Sequence, residues 1–185
     1  GWSVYLSESD NPKRKLKYTL EMTDNGKSLI NVNTSITNKI VHEALINKNI
    51  TQVKDYSEIK PEKKVLDSRI DFFLTNEDLP DVYLEVKNVT LKSDENLAEF
   101  PDAVTTRGQK HLKDLMELKE QGHRAIMFYL VGREDVNKFS PADHIDPEYG
   151  KLLRQASKVG VEILAYQTSL TPESITIKKQ IPINL

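Results

Sequence analysis

Apolar and polar residues alternate along several short stretches of the chain, and this period of two predicts β-strands. Residues 125–131 are instead continuously apolar, which is typical of a strand buried on both faces. Asn25-Gly26 is a strong turn signal between two of the early strands. Strands are predicted at residues 2–7, 13–22, 28–33, 65–75, 82–89, 125–131, 161–167 and 175–177.

Apolar residues at helical spacing predict three helices, and residues 92–104 are predicted as a loop. From residue 29 onward the order is helix, strand, strand, helix, strand, helix, strand, which is typical of a mixed α/β layer fold. The helices are predicted from the N-cap Thr37 to the cluster 47–49, over residues 106–121 before Gly122, and from Asp146-Pro147-Glu148 to Gly160.

The strands at 65–75 and 82–89 predict a hairpin with one polar face. The period of two puts Ile70 and Phe72 on the apolar face and Asp71 on the other, with Glu85 and Lys87 together on the polar face of the second strand. A turn centred on residue 78 would place Asp71 directly across from Glu85. The two carboxylates are therefore expected to meet.

Opposed residues in such a hairpin have Cβ atoms about 5 Å apart, and like charges at that distance repel. A cation would relieve the repulsion, and two hard oxygen ligands with open positions suit Mg²⁺ or Mn²⁺, which keep waters and accept substrate phosphate. Lys87, about 7 Å along the strand from Glu85, would assist the attacking water or the phosphate. The alternative is a solvated ladder of acidic and lysine side chains, and the spacing leaves both interpretations open.

Composition narrows the class of protein. The chain has 185 residues, no cysteine and a formal charge of −2, so disulfides, thiolate catalysis and Cys-ligated zinc are excluded. Its longest apolar run, 125–131, is far shorter than the about 20 residues that span a bilayer. No signal peptide opens the sequence, and Gly1 is not an initiator Met. We expect a cytoplasmic protein without membrane partners.

Five segments resemble the sugar fermentation stimulation protein A (SfsA) family. The longest, Phe100-Pro101-Asp102-Ala103-Val104-Thr105-Thr106-Arg107-Gly108-Gln109-Lys110-His111-Leu112, is the most specific, and the resemblance extends over essentially the whole chain. The other four are Val32-Asn33-Thr34, Ser68-Arg69-Ile70-Asp71-Phe72, Tyr83-Leu84-Glu85-Val86-Lys87-Asn88-Val89-Thr90-Leu91 and Gly160-Val161-Glu162-Ile163-Leu164-Ala165-Tyr166.

The resemblance implies a prokaryotic DNA-binding protein with a PD-(D/E)XK, restriction-endonuclease-like domain whose mixed sheet is flanked by helices. It also implies an N-terminal OB-like domain, of which residues 1–28 are a remnant, with residues 29–185 forming the nuclease-like domain. The first strands of the OB-like part are absent from the sequence, and residues 2–7 look like its last strand, so we expect this chain to have less than the full DNA affinity. Nucleases of this class often add a Glu from the first helix, and Glu43 is the candidate metal ligand; the alternative is an i,i+4 pair with Lys39.

Several basic residues are candidates for contacts with DNA. The run at residues 13–17 resembles a phosphate-tracking edge, although lysines that protect an edge strand would look the same. Residues near the start of the second helix suit a phosphate, or are simply solvated. The predicted DNA-binding residues are Lys13, Arg14, Lys15, Lys17, Arg69, Arg107, Lys110 and His111.

Two functions remain open from the sequence. In the first, Asp71 and Glu85, with Glu43, hold Mg²⁺ or Mn²⁺ for hydrolysis of DNA, and Lys87 assists. In the second, the same fold binds DNA non-specifically as a regulator of sugar-metabolism genes without catalysis. The complete Asp, Glu and Lys set favours the nuclease.

Overall fold

The computed structural model describes residues 1–66, 68–94 and 96–185, which form three sheets and three α-helices. The described strands are β1 (Ser3–Glu8), β2 (Tyr18–Asp24), β3 (Leu29–Asn31), β4 (Glu58–Val65), β5 (Ser68–Asn76), β6 (Leu79–Val89), β7 (Leu91–Asp94), β8 (Leu97–Phe100), β9 (Arg124–Val131), β10 (Lys138–Pro141), β11 (Glu162–Thr171) and β12 (Ser174–Gln180). The helices are α1 (Thr37–Ile46), α2 (Thr106–Glu120) and α3 (Pro147–Lys158).

The N-terminal sheet has the order β1-β2-β3, with antiparallel neighbours. Strand β2 begins at Tyr18, so the prediction of a strand from residue 13 was wrong for its first five positions. The side chain of Asn11 accepts a hydrogen bond from the backbone N–H of Lys13 at 3.0 Å, and this Asx turn competes with strand pairing. Strand β3 pairs with β2, so the small sheet crosses the predicted boundary after residue 28.

The central sheet is mixed and has the order β12-β11-β9-β6-β5-β4. Strands β6, β9 and β11 are parallel, whereas β4, β5 and β12 are joined through antiparallel pairs. Strand β9 lies in the middle, and every residue from Ala125 to Val131 is fully buried, which confirms the prediction from its continuous apolar run. The mixed sheet flanked by helices confirms the predicted fold class.

Two hydrophobic clusters hold the helices against opposite faces of this sheet. Helix α1 packs through Val41 and Ala44 on the face that carries Phe72, Leu84 and Phe128. On the other face, Leu112 and Leu115 of α2 and Tyr149 of α3 pack with Met127 and Tyr129 of the central strand β9. The C-terminal ends of parallel strands β6 and β9 thus lie between the helix layers, where α/β proteins commonly place their sites.

Several short or exposed strands escaped the prediction. The segment 92–104, predicted as a loop, contains most of β7 and all of β8, which form a small sheet with β10, another strand that was missed. Strand β4 was missed because it is an edge strand whose exposed lysines and glutamates show no apolar alternation. Ile70 was assigned to the wrong face, because it packs with Phe73 rather than with Phe72.

No helix in the described part of the chain is both long and apolar enough to cross a membrane.

Candidate metal centre

The site lies where strand β5 stops pairing with β6. Phe72 pairs with Leu84 and Phe73 with Tyr83, the same register that predicts Asp71 opposite Glu85. Beyond this point the Asp71 side chain, rather than the backbone of β5, bonds to β6: its Oδ2 accepts a hydrogen bond of 2.8 Å from the backbone N–H of Val86. Its Oδ1 accepts a second bond of 2.7 Å from the Asn38 side chain of α1. Asp71 is thereby fixed at the open edge of β6.

Glu85 is the buried carboxylate of the site, with only 2% of its surface exposed. Its Oε1 accepts a hydrogen bond of 2.5 Å from Lys87 Nζ and also contacts His111 Nδ1. Its Oε2 is buried and has no hydrogen-bond partner among the described residues. Buried carboxylate oxygens are normally satisfied, so this oxygen fits a small cation as its missing partner.

The pKa values of the two neighbouring carboxyl groups are shifted in opposite directions. Burial and the charge of Glu85 together raise the pKa of Asp71 above its ordinary value, despite its two hydrogen bonds. Burial also acts to raise the pKa of Glu85, but the hydrogen bond from His111 and the charge of Lys87 outweigh it and hold that pKa below the ordinary value. The repulsion that raises the pKa of Asp71 is the one that a cation would remove.

Both carboxylates open onto one cavity of about 370 Å³. In the described residues, no group of three or more His, Asp or Glu side chains is arranged to hold a metal ion. Two carboxylates still suit Mg²⁺, which is commonly bound through one or two of them plus waters and phosphate oxygens. The cavity is lined by Thr34, Thr37, Asn38, Asp71, Glu85, Val86, Lys87, Asn88, Thr90, Phe100, Asp102, Thr105, Arg107 and Gly108.

Helix α2 begins at the wall of this cavity. The Thr105 hydroxyl caps the helix by accepting a 3.0 Å hydrogen bond from the N–H of Gly108. A Cβ atom at Gly108 would lie 2.8 Å from Thr105 Cγ2 and 3.1 Å from the Tyr149 ring, so a larger residue would displace the Thr105 side chain that caps the helix. This close packing brings Arg107, which is exposed, to the cavity rim beside the helix N-terminus.

His111 was predicted to bind DNA, and the structure corrects this. It is 4% exposed, with Nδ1 on Glu85 and 3.1 Å from Lys87 Nζ, and with Nε2 3.4 Å from Arg107 Nε. Burial and these contacts make it a residue that positions Glu85 and Lys87. The sequence signal that could have indicated this position is the spacing of four residues between Arg107 and His111, which puts both side chains on one face of the helix.

Lys110 and Arg69 are partly neutralised within the protein. Lys110 Nζ lies 2.6 Å from Ser68 Oγ and 2.9 Å from Asp114 Oδ2, and Arg69 pairs with Glu62 at 2.9 Å. Both remain accessible at the surface, so their predicted contact with DNA stays a prediction.

Glu43 does not join the two carboxylates. It is exposed and lines a separate cavity with Ile175 and Ile177 of β12, so the structure does not support its predicted role as a third ligand. The α1 residues that line the site are Thr37 and Asn38, in the first turn, and Asn38 donates a hydrogen bond to Asp71. Sequence reasoning missed Asn38 and Asn88 in this cavity. It assigned Thr37 as the N-cap of the helix, which was wrong, because the N-cap is Ile36 and Thr37 is the first residue of α1.

The predicted basic run lies in the loop between β1 and β2. Lys13, Arg14 and Lys15 are exposed, while Lys17 pairs with Glu8 at 2.8 Å. Arg14 also donates a 2.7 Å hydrogen bond to the hydroxyl of Thr19. The loop therefore presents three accessible positive charges on the N-terminal sheet.

Comparison with known proteins places this geometry in a family. Residues 35–174 match the family model described as the sugar fermentation stimulation protein RE domain, and residues 1–32 match the SfsA N-terminal OB domain. A sugar fermentation stimulation protein homolog of Geotalea uraniireducens (strain Rf4) is 48% identical over 186 residues, which cover 100% of this chain and 80% of that protein. The structure of Pyrococcus furiosus SfsA in complex with Ca²⁺ superimposes with a TM-score of 0.90 at 24% identity, over 98% of this chain and 78% of that one. The chain therefore belongs to the sugar fermentation stimulation protein family.

Proposed function

We propose that this protein is a divalent-metal-dependent phosphodiesterase that hydrolyses DNA. The observation that carries the proposal is the pair Asp71 and Glu85 in one cavity beside Lys87, with Glu85 Oε2 buried and unpartnered among the described residues. Structural ion pairs also bury carboxylates, but they normally satisfy both oxygens. A site with one carboxylate oxygen left free, next to an open cavity, is better suited to bind a cation.

Asp71 and Glu85 are the residues that would hold Mg²⁺ or Mn²⁺. When bound, such an ion lowers the pKa of a coordinated water and neutralises phosphate charge. The Pyrococcus furiosus SfsA structure is a complex with a divalent cation, Ca²⁺, which supports testing one here. Asn38 and the Val86 N–H keep the Asp71 carboxylate in place, and His111 does the same for Glu85.

The remaining charged groups suit a phosphate. Lys87 is largely buried, with 14% of its side chain exposed, and its ammonium lies beside the carboxylates. In this position it would orient the attacking water or bind a phosphate oxygen. Arg107 and the N-terminus of α2 on the cavity rim would hold the same phosphate or the next one.

One observation favours a second candidate, a non-catalytic DNA-binding protein. Glu85 Oε1 is already compensated by Lys87 and His111, so the negative charge of this residue is balanced without a cation. In that case the fold would bind DNA as a regulator, with a site that no longer supports hydrolysis. Hydrolysis assays separate the two candidates.

The direct test is incubation of the protein with end-labelled single- and double-stranded DNA in Mg²⁺, Mn²⁺ or EDTA. We expect cleavage in either metal and none in EDTA, because the two carboxylates alone activate no water. Binding without cleavage in every condition would leave only the regulatory function.

We also expect DNA affinity to fall steeply with salt, and less steeply once Lys13, Arg14 and Lys15 are replaced by Gln. Each phosphate contact releases condensed counterions, so losing three contacts would reduce the slope of log affinity against log salt by roughly 2 to 3. Fluorescence anisotropy over a salt series measures both slopes.

The matched control replaces Lys113, Lys151 and Lys158, which lie on helices α2 and α3, with Gln. This variant has the same net charge as the first and is expected to keep the wild-type slope. Equal slopes for both variants would show that the loop after β1 does not contact DNA.

A further inference from the structure

The cavity at the metal centre has two chemically different sides, which are separated by the open edge of β6. The pairing of β6 with β9 continues as far as Val89, whereas its pairing with β5 ends at Leu84. Beyond Leu84, the Asp71 side chain bonds to the β6 backbone at Val86. Because successive side chains of a strand point to opposite faces, Glu85 and Lys87 lie on the face of β6 that is covered by α2. Asn88 shares the opposite face with Val86, which packs on the side of α1.

The α1 side carries buried polar atoms without partners among the described residues. Thr37 Oγ1 and Asn88 Oδ1 are both buried and make no hydrogen bond there, and both residues line the cavity. Thr37 is 4% exposed at the first residue of α1. Such atoms are rare in native proteins, because burying an unsatisfied polar group is unfavourable, so two of them on residues of one cavity wall call for a partner.

The two unpartnered groups are neutral, which distinguishes them from the other side. Charged Lys87 and Arg107 on the α2 side suit a phosphate, whereas a hydroxyl and a carboxamide suit a neutral group with hydrogen-bond donors and acceptors. In a DNA strand the neutral hydrogen-bonding group next to a phosphate is the base. The volume of about 370 Å³ lies at the lower end of small-molecule sites, which fits a single nucleotide rather than a duplex.

We propose that Thr37 and Asn88 form a recognition subsite that hydrogen-bonds the base edge of one unpaired nucleotide, whose phosphate lies at Lys87 and Arg107. This inference rests on the proposed function, since it takes nucleic acid as the ligand. It assigns base contact to the α1 side of the cavity and phosphate contact to the α2 side. Affinity for bases and affinity for phosphates should therefore respond to different substitutions.

The test compares two single-stranded oligonucleotides of equal length, one normal and one fully abasic, in buffer with Ca²⁺. We expect Thr37→Val to weaken the normal oligonucleotide about 3- to 10-fold, the worth of one hydrogen bond, and the abasic one less than about 2-fold. Asn88→Ala should give the same selective loss. The control Thr176→Val makes the same substitution at an exposed position of β12, which is not among the residues that line this cavity, and should change neither affinity.

Equal losses on both oligonucleotides, no loss on either, or no measurable binding by wild type would overturn the proposal. Thermal unfolding of each variant checks the fold, and Asn88→Ala supplies the answer if Thr37→Val does not fold. The readout is binding, so a protein that cleaves nothing in Mg²⁺ would refute the proposed hydrolysis but leave this subsite standing. Intact cleavage without selective loss would refute the subsite alone.

Discussion

Replacing Glu85 with glutamine is expected to lower metal-dependent DNA cleavage at least about 100-fold while DNA binding persists or strengthens slightly. The substitution keeps the shape of the side chain but removes the charge that would hold a cation at the unpartnered Oε2. It also removes a negative charge that repels the phosphate backbone when no metal is bound. Chemistry and affinity should therefore change in opposite directions, as measured by single-turnover cleavage and by anisotropy in EDTA.

Glu99→Gln is the matched control for this variant. Glu99 is likewise a buried carboxylate, 8% exposed, whose Oε2 has no partner among the described residues, but it is not among the residues that line the cavity at the candidate metal centre. We expect its cleavage rate to stay close to that of wild type. Cleavage by Glu85→Gln at the wild-type rate would show that the centre does not use this carboxylate.

Replacing Lys87 with alanine is expected to reduce the cleavage rate about 100-fold and to weaken DNA binding by a few fold. The ammonium lies 2.5 Å from Glu85 Oε1 and is largely buried, so the positive charge acts in a medium where electrostatic interactions are strong. Its loss removes a group that would orient water or bind phosphate, and the affinity falls because one positive charge is gone. The rate constant and the dissociation constant are measured separately under single-turnover conditions.

Lys110→Ala provides the comparison. Lys110 lies one residue from His111 on α2, but its ammonium is bonded to Ser68 and Asp114 and the residue is not among those that line the cavity. Its removal should leave the cleavage rate nearly unchanged. If both lysine variants lost activity equally, the effect would come from the general charge of this surface rather than from Lys87.

Much of the fold follows from local pattern. The apolar run of β9 and the capped helices α2 and α3 are specified by residues close together in sequence. The hairpin register predicted for Phe72 to Leu74 is observed, but it depends on a bulge between Leu74 and Asn76 and not on the turn alone. Edge strand β4 could not be predicted from local pattern, because a strand that faces solvent needs no apolar alternation and forms through its pairing with the neighbouring strand, here β5. The face of Ile70 was also missed. In the neighbouring strand β4, Glu62 lies between the pairs Pro61–Phe72 and Lys63–Ile70 and has a φ of 56°, which marks a break in regular strand geometry at this point.

The site was predicted only in part, for a physical reason. Asp71, Glu85 and Lys87 belong to one hairpin, so strand geometry alone brings them together. His111 reaches Glu85 across 26 positions and Asn38 reaches Asp71 across 33, and such contacts depend on how helices pack on the sheet. The periodicity and residue spacing within one segment carry no information about such contacts between remote segments.

Chelation followed by restoration of metal tests the metal-dependent hydrolysis most directly. The protein is treated with EDTA, dialysed, and mixed with end-labelled DNA before and after Mg²⁺ or Mn²⁺ is added, with identically purified Glu85→Gln as the control for contaminating nuclease. We predict no cleavage after chelation, full recovery with metal, and no recovery for Glu85→Gln. Cleavage that survives EDTA, or a wild-type protein that cuts no DNA in either metal, would contradict a catalytic metal at Asp71 and Glu85.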